Sequence, residues 1–427
     1  MARSLKRAWG LLLTLLCFSF SITLEEAERK ALERNADLRV GRLEIGRRSE
    51  EARRAFGELL PRLDFELSLN FSRRLSFTLP GVPPFPPQEF TFQKEIYPKA
   101  TLLLRQDIFN PVSIRDYEIR KILEKAQVYS LKEKRLDVLY RVREAYINAL
   151  KAKALIALYR KQIDRVKAHL RDVEELYKEG IVPFKDLLET RVRLMEVEEK
   201  VISAEAEYAK ALSHLSYLVG EEVKDLEDID PDSVGDLSLK PPEDLKRTAL
   251  RSRPVLLFYR ELIRSREKAL DLARSLFYPV LTAEGFLQYT EESDVFPKTR
   301  YLISLALRWN VFSGLKRLRT LEIAKIEKIQ ETERLRDLEK RVILEVETAL
   351  EDIRSARARV KLAEAMVEEA REHLRIALEK YKAGLGTNRE VLDAESYLTR
   401  AEQILRINTY DLILRMFKLR RSVGYEE

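Results

Sequence analysis

The sequence holds one cysteine, three histidines and four methionines in 427 residues. The single cysteine, Cys17, sits in an apolar N-terminal run. A chain processed there carries no thiol, which excludes disulfides and thiolate metal sites. His169, His214 and His373 lie far apart in the sequence and read as isolated surface or interface residues of helices. No Gly-x-Ser-x-Gly elbow occurs, and Gly384-Leu385-Gly386 lacks the Lys-Ser/Thr pair and strand context of a phosphate loop. No catalytic constellation, cofactor motif or metal-ligand spacing remains, so the chain reads as a non-enzyme. An excess of one charge is also missing. The 78 basic and 71 acidic residues give +7, and removing Arg3, Lys6 and Arg7 with the leader takes this to about +4. With both signs interleaved and no aromatic-basic patch, nucleic acid is not expected as a partner. Beyond the N-terminal segment no run approaches the ~20 apolar residues of a membrane helix.

What is present begins with a leader. Arg3, Lys6 and Arg7 precede the apolar run Ala8 to Phe20, the pattern of a secretory signal covering residues 1–21. Removal of Cys17 with that leader is the first reading. Lipidation at Cys17 is the alternative, although Thr14-Leu15-Leu16 lacks the small residue that such processing requires.

The rest of the chain is written twice. Tyr177-Lys178-Glu179-Gly180 recurs as Tyr381-Lys382-Ala383-Gly384, and Ala31-Leu32 and Pro61 recur as Ala249-Leu250 and Pro279. A first repeat over 22–220 and a second over 243–427 flank an acidic linker at 221–242. Each half predicts a helix, a β-hairpin (about 62–109 and 280–312), a very long helix, a tip turn (about 178–185 and 382–389) and a closing helix.

The first helix is expected from Leu24 to about Glu58, capped by Thr23. After Pro61 the period drops to two: Leu63, Phe65, Leu67, Leu69 and Phe71 alternate with Asp64, Glu66, Ser68 and Asn70. Alternation returns after the proline-rich stretch Pro80 to Pro87, and again over Leu281 to Tyr289 and Tyr301 to Val311. Strands of about ten residues with one greasy side suit a tilted bilayer crossing. Ser113 to Lys178 and Leu315 to Lys382 contain no proline or glycine. Each predicts a helix about 100 Å long, far beyond the ordinary globular length. Alanines such as Ala145, Ala149, Ala349 and Ala356 would let such helices pack closely. Four strands cannot close a barrel, and open edges are forbidden in lipid, so a spanning sheet requires several copies. A secreted periplasmic coiled-coil rod or adaptor is the competing reading, but a rod has no use for lipid-facing ribbons.

In order, duplicated and with Asn110-Pro111 and Ser313-Gly314 closing the hairpins, these features resemble the TolC-type outer-membrane efflux protein family, also called outer membrane factors. The likeness runs from about Ile22 to Gly424, and Glu390-Val391-Leu392-Asp393 after Gly384 matches the family's tip signature. The resemblance implies a mainly α protein with a membrane β-barrel part. Three copies would build a twelve-stranded outer-membrane barrel above a periplasmic α-helical tunnel. It also implies a passive duct of a tripartite efflux or type I secretion system, fed by an inner-membrane efflux pump or ABC exporter through a periplasmic adaptor protein. Asp186, Glu189, Glu390 and Asp393 would then ring the pore aperture and attract cations. Tyr177, Gly180, Tyr381, Gly384 and Arg389 would form the tips and the adaptor-docking surface. Tyr381 matches the tyrosine of the family's closing contacts, whereas the arginine expected two places after the glycine is Gly386, with Arg389 nearby.

Overall fold

The computed structural model describes residues 21–230, 235 and 237–425. The leader expectation falls almost wholly on residues 1–20, outside the described residues, as does Cys17. The chain divides into two compact units. One comprises the chain up to Arg42 together with Ser130–Leu256 and the part from Leu338 onward; the other comprises Leu43–Tyr129 and Leu257–Asp337.

The first repeat opens with β1 (Ser21–Ile22), α1 (Leu24–Arg34) and α2 (Ala36–Gly57). The single helix expected over this stretch is broken at Asn35. The Asn35 N–H closes α1 on Ala31 O at 2.8 Å, and its side chain accepts from Asp37 N at 2.9 Å to open α2. One asparagine thus caps two helices. Four strands follow, β2 (Arg62–Phe71), β3 (Leu75–Leu79), β4 (Gln88–Gln93) and β5 (Ile96–Phe109). Then come α3 (Pro111–Lys178) and α4 (Phe184–Val219). Pro111 takes the first helical position, where no N–H is needed, and Asn110 Oδ1 accepts from Ser113 N at 3.3 Å. The linker contributes β6 (Asp225–Leu226) and a 3-10 turn at Leu237–Leu239.

In the second repeat α5 (Pro242–Ser252) and α6 (Pro254–Ser275) break at Arg253, the repeat-equivalent of Asn35. β7 (Val280–Thr290), β8 (Thr299–Arg308), α7 (Lys316–Lys382) and α8 (Asn388–Val423) complete it. Trp309 and Val311 fall beyond β8, and the Trp309 indole donates to Phe277 O at 3.0 Å.

In the first unit, Tyr146 anchors the core. Its ring is fully buried, and its hydroxyl lies within hydrogen-bond distance of Ile22 O and Glu227 O, beside the parallel β1–β6 pair. Leu150, Leu215, Val219 and Ile413 pack around it, each contributing about 1.5–3 kcal/mol on full burial. Ala145, Ala149, Ala349 and Ala356 are buried, as close helix approach requires, whereas Ala358 is exposed. Arg253, 2% exposed, pairs with Glu133 at 2.9 Å and donates to Arg421 O and Ser422 O at the end of α8.

In the second unit the strand order is β2-β5-β7-β8, antiparallel throughout. The register sorts the side chains cleanly. Leu63, Phe65, Leu67, Leu69 and Phe71 lie opposite Leu104, Leu102, Ala100, Pro98 and Ile96. The same face continues through Leu287 and Tyr289 to Tyr301, Ile303 and Leu305. The other face carries Arg62, Asp64, Glu66, Lys99, Arg105 and Glu284, interrupted by one apolar row of Leu103, Phe286 and Leu302. Phe65 is 69% and Ile303 82% exposed, so the chain itself does not cover its apolar face.

Candidate functional site

The two tip turns lie in the first unit and share one geometry. Gly180 has φ 73° and Gly384 φ 72°, values that a side chain resists. At both, the glycine N–H bonds to the tyrosine carbonyl at 3.0 Å (Tyr177 and Tyr381). The next N–H bonds one residue further back, to Leu176 O and Lys380 O at 2.9 Å. This satisfies the last carbonyls of each long helix. The helices that follow start differently. α4 follows Pro183, which offers no side-chain cap. α8 follows Thr387, whose hydroxyl accepts from Glu390 N while Glu390 returns to the Thr387 N–H.

Among the carboxylates singled out in the sequence, Asp186 is brought to Tyr381: the Tyr381 hydroxyl donates to Asp186 Oδ2 at 3.5 Å. Tyr381 is buried, and its ring edge meets His169 at 5.3 Å between centroids. Burial and the nearby Asp186 push the Tyr381 phenol up to about 12. Burial, reinforced by Glu189, raises the Asp186 carboxyl above its usual range. Glu390 is engaged by the cap, and it and Asp393 are exposed. Glu189, Arg389 and Asp393 border one groove of about 400 Å³ floored by Leu188, Val192 and Leu392. Arg389 approaches Asp393 at 4.0 Å and is otherwise open to solvent. Tyr177 is exposed and its ring meets that of Phe184 at a tilt, 5.6 Å between centroids.

The reading of His169 as a surface or interface residue is corrected by the structure. It is 6% exposed, and its Nε2 lies 2.8 Å from Asn388 Oδ1. Asn388 is buried as well. It accepts from the Thr190 hydroxyl at 3.2 Å and donates to Asp186 O at 3.2 Å. His169 Nδ1 has no hydrogen-bond partner. Burial pushes the imidazole below its ordinary value, with the Asn388 bond opposing. One turn along, Arg165 holds Glu395 at 2.8 Å and reaches Thr399 and Glu402. Burial raises the Glu395 carboxyl although Arg165 is in contact with it. Lys382 pairs with Asp172 at 2.8 Å.

These contacts tie α3 and α4 to α7 and α8. Thr190, Asn388, Arg165 and Glu395 were not singled out in the sequence and His169 was read there as isolated, because their meeting has no local signature. Among the described residues no group of three or more His, Cys, Asp or Glu could hold a metal ion, and no helix is long and apolar enough to cross a membrane.

A family model described as outer membrane efflux protein matches residues 28–221 and 245–425. No curated protein sequence matches the chain. Among solved structures, CusC superposes with a TM-score of 0.83 at 18% identity, covering 95% of this chain and 94% of that one. The Campylobacter jejuni CmeC outer membrane channel gives 0.76 at 18% identity over 94% and 85%. Vibrio cholerae VceC gives 0.76 at 17% identity over 94% and 96%. Such distant likenesses carry the fold.

Proposed function

The chain belongs to the outer membrane efflux protein family and is an outer-membrane efflux channel, and from that premise we propose that it is the passive exit duct of a tripartite efflux or type I secretion assembly. The observation that carries this reading is the four-stranded sheet with one apolar face and two unpaired edges, β2 and β8. In lipid the apolar face needs no protein cover, but the edges must pair. Edge-to-edge closure with further copies meets both demands, and in a homotrimer it yields a twelve-stranded barrel. The helices form the periplasmic tunnel below, and an inner-membrane efflux pump or ABC exporter supplies the energy.

At the tips around Gly180 and Gly384, Tyr177, Tyr381 and Arg389 meet the periplasmic adaptor protein. Asp186, Glu189, Glu390 and Asp393 border the aperture. Glu189 and Asp393 share a groove, and the Asp186–Tyr381 contact holds the aperture closed. Rings of carboxylates at a constriction favour cations.

Single-channel recording in planar bilayers tests both parts, with Glu390→Ala/Asp393→Ala protein alongside. The expected result is a small cation-selective conductance that loses selectivity in the variant. Protein that stays soluble and never inserts refutes the duct. Insertion with unchanged selectivity removes the carboxylates from the aperture.

A further inference from the structure

The hairpin of β3 and β4 stands outside the four-stranded sheet, yet it keeps that sheet's order. Residues 72–74 leave the strand and a bulge follows between Leu75 and Ser76, but beyond it Phe77 lies opposite Phe90 at the same offset that sets Leu63 opposite Leu104, and Leu75, Phe77 and Leu79 keep the parity of the apolar β2 residues. On that face Leu75, Phe77 and Leu79 are 58%, 56% and 47% exposed, and Phe85 at the turn is 71% exposed. Ser76, Thr78 and Glu89 take the other face.

The base of the hairpin is clamped rather than free. Asp294 N and Ser293 Oγ both donate to Thr91 O at 3.0 Å, and Lys94 pairs with Asp294 at 2.7 Å. The ten residues of β2 are already enough to cross a bilayer at a tilt, so β3 and β4 come after the crossing. Arg73, an exposed cation on the same parity, interrupts the apolar series between Phe71 and Leu75, at the depth of lipid headgroups.

We propose that the β3–β4 hairpin is a lipid-docking element that folds over the outer leaflet, with Leu75, Phe77, Leu79 and Phe85 in the acyl boundary. This inference rests on the barrel reading above. The occupant is lipid because the hairpin, past a bulge between Leu75 and Ser76, returns to the pairing offset of the strands whose apolar face the barrel gives to lipid.

The test uses the full chain in proteoliposomes of brominated phosphatidylcholine, with Trp9→Phe/Trp309→Phe as background. Reporters are Phe65→Trp on β2, Phe77→Trp on β3 and Phe85→Trp as a second hairpin position. The F65W, F77W and F85W signals are each expected to lose roughly half or more of their emission, as rings at acyl depth do. If F65W is quenched by bromine but the hairpin reporters are quenched only by aqueous iodide, the docking inference is overturned and the barrel stands. Hairpin reporters shielded from both quenchers would place another protein copy on the face, and that also overturns it. An F65W signal untouched by bromine removes the barrel reading itself.

Discussion

Replacing Asn388 by alanine is the sharpest probe of how the two tips are held to each other. The side chain is 2% exposed and serves His169, Thr190 and Asp186 at once. Its loss is not shared equally. The Thr190 hydroxyl still donates to Asp186 O at 2.8 Å, so both of those groups keep a partner. His169 does not, because its Nδ1 is already unpartnered and Nε2 then joins it. One newly orphaned buried donor costs about 1–3 kcal/mol, and the small void adds about 1 kcal/mol. The local opening free energy of the tip should therefore fall by about 2–4 kcal/mol. In hydrogen exchange this is roughly a 30- to 1000-fold acceleration in the helix ends around Asn388, with the β2–β8 strands unchanged. Adding His169→Leu removes the orphan, so the double variant should lose about 1–3 kcal/mol less than the sum of the single losses. Exchange at the tip that rises less than about threefold, or that rises equally in the strands, would refute the reasoning.

Acidity should act through the same cluster. His169 is held below its ordinary value, so the folded tip favours the neutral ring, and that stability is lost as pH falls below about 6.5. Glu395 is held above its ordinary value and acts in the opposite sense, its contribution fading as pH rises from about 4.5. Tip exchange followed between these limits should therefore accelerate on acidification less in His169→Gln than in the parent protein. Gly384→Ala places a methyl group at φ 72° and should cost about 1–2 kcal/mol of tip stability by the same assay. Arg253→Ala removes the buried cation paired with Glu133, which keeps only the Val255 N–H, and takes a donor from Ser422 O, while Arg421 O retains the Gly424 N–H. It should cost about 3–5 kcal/mol, seen as a lower melting temperature.

The sequence announced the large elements because their signals are local. Helices as long as α3 and α7 follow from stretches that never break the chain with proline or glycine, and the sheet follows from alternation that returns in both halves. The break at Asn35 stayed hidden because asparagine neither interrupts an apolar period nor forbids a helix; only its side-chain bonds to Asp37 and Leu38 reveal it. The β3–β4 hairpin was masked by the prolines between its strands, which read as a loop. At the tips, the resemblance supplied the turn glycines and brought Tyr381 and Asp186 to attention separately, but it did not pair them. The His169–Asn388–Thr190 cluster did not, since contacts between residues of three separate helices leave no periodic trace.

The unequal starts of α4 and α8 have a consequence for the two tips. A duplication hands a protein two copies of one turn, and here one kept a full cap at Thr387 while its twin begins at Pro183 with none. A cap is worth about 1 kcal/mol, roughly a fivefold bias in fraying. The first tip is therefore the looser jaw and the second the anvil. Removing the Thr387 cap should bring fraying of the second tip up to that of the first.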